Sequence, residues 1–195
     1  MVVGLTGGIG SGKSIVARLF ELMGCLTFES DVVAKEIYFD PEVRQQVIGL
    51  LGAESYLSET TLNKAYISSK IFSDAKLLQS LNSIIHPAVI KKSRLFVDAN
   101  PGKIVIKETA LLFEAKLEKQ MDKIILVVAD DETRIQRVMQ RDGISREEVL
   151  KKIDSQLPQE EKIKKADYVI YNSSTQLLTP QVVAVYKDLL KFQHA

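Results

Sequence analysis

The sequence predicts an α/β fold, a five-stranded parallel sheet flanked by helices, with a helical insertion and a small helical lid. Three observations lead there. The glycine-rich stretch Gly7-Gly8-Ile9-Gly10-Ser11-Gly12-Lys13-Ser14 stands directly behind the apolar run Val2-Val3-Gly4-Leu5-Thr6 and just before a helical repeat of Val16, Leu19, Phe20 and Met23. The run Ile124-Ile125-Leu126-Val127-Val128 has no polar interruption, as expected of a parallel strand covered on both faces. Between about residues 40 and 99 the alternation of strand and helix stops and helical patterns follow one another, which marks an insertion.

The first element sets the chemistry. A G-x-x-x-x-G-K-[ST] stretch between a strand and a helix is a phosphate-binding loop, and the fold it predicts is of the P-loop NTPase type. Glycines let the chain curl so that successive N–H groups point inward, and the helix start adds partial positive charge. Lys13 then reaches the β- and γ-phosphates of a bound polyphosphate, and the Ser14 hydroxyl suits Mg2+.

The helix at 13–23 is expected to end at Gly24, and 25–29 to form the next strand. Asp31 then falls at the carboxyl end of a strand and the start of a helix. That edge of an open parallel sheet is where ligands bind, so Asp31 is a candidate catalytic carboxylate, although capping the helix is equally suited to it. Asp40 and Pro41 open a helix that Gly52 closes. Helical pieces are expected near 61–67 and over 74–85, the latter broken at His86-Pro87, with another over 88–97. Lys91, Lys92 and Arg94 on that last helix read either as a solvated face or as ligand contacts, and His86 either as a packed residue or as a functional one.

Asn100-Pro101-Gly102 turns the chain into a strand at 104–106. Glu108 and Glu114 follow at the same carboxyl edge, each a candidate for orienting metal or water and otherwise an ordinary cap or surface charge. After the strand at 123–129, Asp130-Asp131 starts a helix on which Arg134, Arg137 and Arg141, at i, i+3 and i+7, share one face. Guanidinium groups match phosphate oxygens, so at least one is expected to meet the transferring phosphoryl group, against the alternative of a solvated face. Ser145 and Glu148 form a capping box, and the charge-rich stretch 141–165, interrupted at Pro158, reads as a flap that closes over nucleotide. The last strand is 168–171, Asn172-Ser173-Ser174 its exit loop, and 177–190 a closing amphipathic helix.

The whole chain narrows the classes. Its 195 residues, 46% hydrophobic and 26% charged, suit one α/β domain with insertions, and 26 basic against 25 acidic residues leave a net charge of +1. Neither a nucleic-acid partner nor a membrane is expected, because the chain lacks a basic excess, a secretory leader pattern and any apolar run of spanning length. A single cysteine, Cys25, fits a reducing, cytoplasmic setting, as core filler or as a reactive thiol.

These stations in this order resemble dephospho-CoA kinases over nearly the whole chain. The resemblance is carried by the stretch from Gly4 to Ser14, the segment around Asp31, His86-Pro87, Leu111-Leu112-Phe113-Glu114, Arg141-Asp142, Ser155-Gln156-Leu157-Pro158 and Ala166-Asp167-Tyr168-Val169-Ile170. It implies MgATP-dependent phosphorylation of the ribose 3′-hydroxyl of dephospho-CoA, the last step of coenzyme A synthesis. It further implies a nucleotide-binding core at 1–30, 101–130 and 166–195, a CoA-binding insertion at 31–100 and a lid at 131–165, in a monomer or small homo-oligomer. Asp31 matches the family's proton acceptor, and Arg141, with Arg137 second, the charge stabiliser. Gly8, Ile9, Gly10, Ser11, Gly12, Lys13, Ser14, Ile15 and Asn172 become the nucleotide-binding candidates, and His86, Leu111 and Leu112 the acceptor-binding ones. Ile15, Glu29 and Ala110 stand where relatives commonly have Thr, Asp and Pro, and Lys152 where many have Arg. Ser14 and Glu29 keep the hydroxyl and a carboxylate, whereas lysine cannot make arginine's bidentate contact.

Other kinases of the same fold, acting on nucleosides or nucleoside monophosphates, differ in the acceptor pocket. A non-catalytic GTPase-like switch is disfavoured, because Asn63-Lys64-Ala65-Tyr66 lacks the Asp that reads guanine and no Asp is followed three residues later by Gly.

Overall fold

The computed structural model describes residues 1–72 and 74–193. Contacts divide the chain into two units, one formed by Met1–Glu29 with Asn100–Ala195 and the other by Ser30–Ala99.

The first unit is built on the strands β1 (Val2–Thr6) and β2 (Leu26–Glu29), joined by helix α1 (Lys13–Leu22). In the second unit, α2 (Ser30–Glu36) and a short 3-10 turn lead to α3 (Pro41–Leu51), the strands β3 (Tyr56–Ser58) and β4 (Thr61–Leu62), α4 (Lys64–Phe72) and α5 (Ala75–Asp98). The chain then returns to the first unit with β5 (Val105–Glu108), β6 (Lys123–Val128), α6 (Asp131–Asp142), α7 (Arg146–Asp154), α8 (Gln159–Ile163), β7 (Tyr168–Tyr171) and α9 (Leu178–Gln193).

The five long-range strands form the parallel sheet expected from sequence, and the structure orders them β2-β5-β1-β6-β7. β1 is central because both its faces are buried: Val3 and Leu5 have no exposed surface and join Val16, Phe20, Ile106, Ile125, Val127, Ile170, Val182 and Leu189 in one core. The opposite face is closed by Leu112, Phe113 and Ile124. Gly4 is required by that closure, since a Cβ there would stand 2.5 Å from Leu112 Cδ1. The charge-rich stretch after α6 is anchored too, because Val149 of α7 is fully buried against Ile135 and Val138.

The second unit differs from its sequence expectation in two places. Residues 61–62 are not helical but pair antiparallel with Tyr56–Ser58, a two-strand ribbon that the short, mixed-polarity sequence does not announce. The pattern does not break at His86-Pro87: α5 runs unbroken through Pro87. Leu81, Ile85, Val89 and Ser93, spaced by four residues, form one buried stripe along it, and burying that stripe outweighs the local penalty of an internal proline. Elsewhere local rules hold, as where Asp40 caps α3 by accepting from the Glu42 and Val43 N–H groups. The Tyr56 hydroxyl donates to Tyr38 O at 2.7 Å and Arg44 lies 4.4 Å over the Tyr56 ring, tying the ribbon to α3.

Candidate active site

The phosphate loop is shaped by its glycines. Gly10 and Gly12 take φ of +78° and +93°, a region costly for other residues, and the loop closes on itself through Ser11 N–H to Gly8 O at 3.1 Å. Gly12 caps α1 without a side chain, and no acidic residue stands in that helix's first turn. The N-terminal N–H donors and their partial positive charge therefore meet no competing carboxylate from α1. Lys13 Nζ folds back over the loop, donating to Gly7 O at 3.0 Å and Gly8 O at 3.4 Å, while Ser14 and Ile15 are exposed. The hydroxyls of Thr6 and Ser11 are buried at the loop without a hydrogen-bond partner among the described residues.

The arginine face splits three ways. Arg134 is buried, donates from Nε to Ile9 O at 3.0 Å and from Nη1 to Asp131 at 2.7 Å, and packs so closely on Gly8 that a Cβ there would strike its guanidinium. Arg137 reaches Gly10 O at 3.4 Å and Asn172 Oδ1 at 3.5 Å. Arg141 is exposed at the end of α6, its fork closed on Asp142 at 2.7 and 3.0 Å; that hydrogen-bonded pairing raises its pKa further and lowers that of Asp142. Helical periodicity put Arg134, Arg137 and Arg141 on one face; the structure brings Arg134 and Arg137 to the loop and makes Arg134 a buried support.

Asn172 is buried and props the loop from beneath, its Nδ2 donating to Ser11 O at 2.8 Å and its N–H to Val128 O at 2.7 Å. Only glycine fits above it, because a Cβ on Gly12 would overlap the Asn172 amide. Glu114 lies beside α8. Burial opposes its charge, but the Lys162 ammonium at 2.8 Å and the Leu157 N–H at 2.8 Å outweigh that and hold its pKa below the ordinary value. Gln156 Oε1 accepts the Ile9 N–H at 2.9 Å, a contact sequence reasoning did not anticipate; the Ser155-Gln156-Leu157-Pro158 resemblance was its only signal. A cavity of about 450 Å³ opens beside Gly8, lined by Arg134, Gln156, Gln159 and Lys162 among others.

A glycine-shaped loop at a helix start without acidic residues, with Lys13 folded over it and Arg137 beside it, suits a polyphosphate, but by itself it does not name the acceptor. The family model described as dephospho-CoA kinase matches residues 1–177. The chain belongs to the dephospho-CoA kinase family. A dephospho-CoA kinase from Chlorobaculum tepidum is 40% identical over 202 residues, covering 97% of this chain and 95% of that one. A solved structure from Thermus thermophilus is 31% identical with a TM-score of 0.84, covering 98% and 96% of the two chains. The dephospho-CoA kinase of Campylobacter jejuni, at 24% identity, TM-score 0.72 and 97% of each chain, is alike in fold.

The remaining positions expected from the family likeness are placed as follows. Asp31 is exposed at the second position of α2, and His86 is exposed on α5. Leu111 is 47% exposed, whereas its neighbour Leu112 has no exposed surface and serves the core under Gly4. Of that pair, only Leu111 offers a face to a ligand. Among the described residues no three His, Cys, Asp or Glu gather into a metal cage, and no helix is long and apolar enough to cross a membrane. The donor set suits Mg2+ nonetheless, since this ion keeps several waters and takes few protein oxygens beside substrate phosphates, and the exposed Ser14 hydroxyl is one such oxygen.

Proposed function

We propose that the chain transfers the γ-phosphoryl group of ATP to the ribose 3′-hydroxyl of dephospho-CoA, forming coenzyme A and ADP. The observation that carries this is the dephospho-CoA kinase family match over residues 1–177, in a chain whose phosphate loop keeps its lysine, its serine and an uncontested helix start. The setting is the cytoplasm; residues 31–100 supply the acceptor pocket and residues 131–165 the segment that closes over nucleotide.

The loop holds the donor's β- and γ-phosphates through its inward N–H groups, with Lys13 as point charge. The Ser14 hydroxyl would help hold Mg2+, which would offset charge on the phosphates. Asp31 orients the 3′-hydroxyl and accepts its proton as the oxygen–phosphorus bond forms and the bond to the ADP oxygen breaks. Arg137, already on the loop, is best placed among the α6 arginines to offset charge on the moving group, and Arg141 is second because it must first leave Asp142.

The test is to incubate the protein with MgATP and, separately, dephospho-CoA, AMP, adenosine and shikimate, and to locate new phosphate. Phosphate confined to the 3′-hydroxyl of dephospho-CoA is expected; transfer to AMP or adenosine instead would move the chain to another acceptor class. Asp31→Asn should lower kcat by at least about 100-fold, the usual range for a lost general base, and leave ATP affinity near normal. Full turnover by that variant would remove Asp31 from the mechanism.

A further inference from the structure

Ile9 is held from three directions. Its side chain packs against the cluster of Ile135, Val138 and Val149, its carbonyl accepts from Arg134 Nε at 3.0 Å, and its N–H donates to Gln156 Oε1 at 2.9 Å. The first two holds come from the body of α6 and α7. The third comes from the short link between α7 and α8, a segment distant in sequence that has to be fixed before it can fix anything else.

That link is pinned on both sides of Gln156. Its own N–H donates to Ile153 O at 3.0 Å, at the end of α7. The next residue, Leu157, donates its N–H to Glu114 Oε1 at 2.8 Å, and the same oxygen takes the Lys162 ammonium of α8 at 2.8 Å. Lys162 is 1% exposed, so this ion pair lies in a poorly solvated place where a change of partner is costly. Glu114 thus ties the segment after β5 to α8 and sets the position from which Gln156 reaches the loop.

We propose that Gln156 is a positioning residue of the phosphate loop, which holds Ile9 in the shape that receives polyphosphate. The inference rests on the functional reading above, since it assigns the loop's ligand to that class. The residue type follows from the chemistry. The N–H of Ile9 needs an acceptor, which excludes lysine and arginine, and the reach from the link needs a long side chain. A glutamate would also accept, but would bring a negative charge beside a cradle for anionic phosphates. A neutral amide meets all three requirements. By holding the loop before ligand arrives, it removes an ordering cost from nucleotide binding.

The informative variant is Gln156→Met, which keeps length and volume and removes the acceptor. The Kd for MgADP, measured by titration calorimetry, should rise about fivefold, the worth of one ordinary hydrogen bond. Hydrogen exchange at the Ile9 amide should accelerate, while the unfolding midpoint of the ligand-free protein stays near that of the parent. Gln156→Glu should keep the Ile9 amide as protected as in the parent, because its oxygen still accepts. An unchanged MgADP Kd in Gln156→Met would overturn the proposal, with or without a lowered unfolding midpoint, and so would fast Ile9 exchange in Gln156→Glu. A parent protein that binds no nucleotide would overturn the functional reading as well, so failure of the two ideas is told apart by the parent alone.

Discussion

At the scale of single residues, the phosphate loop leaves almost no freedom of composition. Gly10 has φ of +78°, and a Cβ on it would stand 2.5 Å from Arg134 O, a backbone atom that cannot swing aside. Gly10→Ala should therefore cost about 2 kcal/mol of stability, in the range for a strained backbone position, and impair nucleotide binding; thermal unfolding and MgADP titration check both. Cys25 illustrates a quieter constraint. Burial pushes its thiol up to about 11, so at pH 8 it is expected to remain unlabelled by iodoacetamide in the native protein and to label fully in denaturant, as mass spectrometry would read. The core-filler reading is the one the structure supports. Asn172 and Arg134 were visible in the sequence as residue types near a phosphate site, but not as supports. Their burial under and beside the loop depends on β7 and α6 being brought to β1, and no local pattern encodes that distance.

At the scale of elements, propensity and packing disagree most sharply in α5. An internal proline lacks the N–H for one helical bond and crowds the preceding turn, so the sequence reads as two helices. The buried stripe from Leu81 to Ser93 keeps it as one. Pro87→Ala should then stabilise the protein by about 2 kcal/mol, the helix gain less the extra freedom of the unfolded chain, measured by denaturant titration. The α8 anchor behaves oppositely. Lys162→Met leaves Glu114 partly buried without its ammonium partner and is expected to cost about 3 kcal/mol, with part of the loss recovered when Glu114 is also made apolar. The capping box of α7 and the Asp40 cap of α3 could be read directly from sequence, because a cap is satisfied within a few residues of chain.

At the scale of the whole molecule, the response to alkali has a determined sign. Besides Cys25, burial raises Tyr56 and Tyr168 to about 12, with the hydrogen bond to Asp188 adding to the effect at Tyr168. Each is an acid kept neutral by the fold, so its contribution is complete below its ordinary pKa and is lost as pH rises through the folded value. Stability should hold near neutrality and fall progressively above about pH 9, as the unfolded chain releases its protons first. Nucleotide acts in the other direction: at 100 times its Kd it should add about 2.7 kcal/mol to unfolding, read as a raised unfolding midpoint.

The sequence by itself determined the class of fold, the five strands of the parallel sheet in their order along the chain, the phosphate loop and the caps, because each rests on periodicity or on contacts between near neighbours. Only the tertiary structure decided that Arg134 and Asn172 brace the loop, that Leu112 belongs to the core while Leu111 is exposed, that α5 continues through Pro87, and that Gln156 reaches Ile9. These depend on which surfaces meet after the strands assemble out of chain order, β2-β5-β1-β6-β7, and on the burial energy gained there, which overrides local preference.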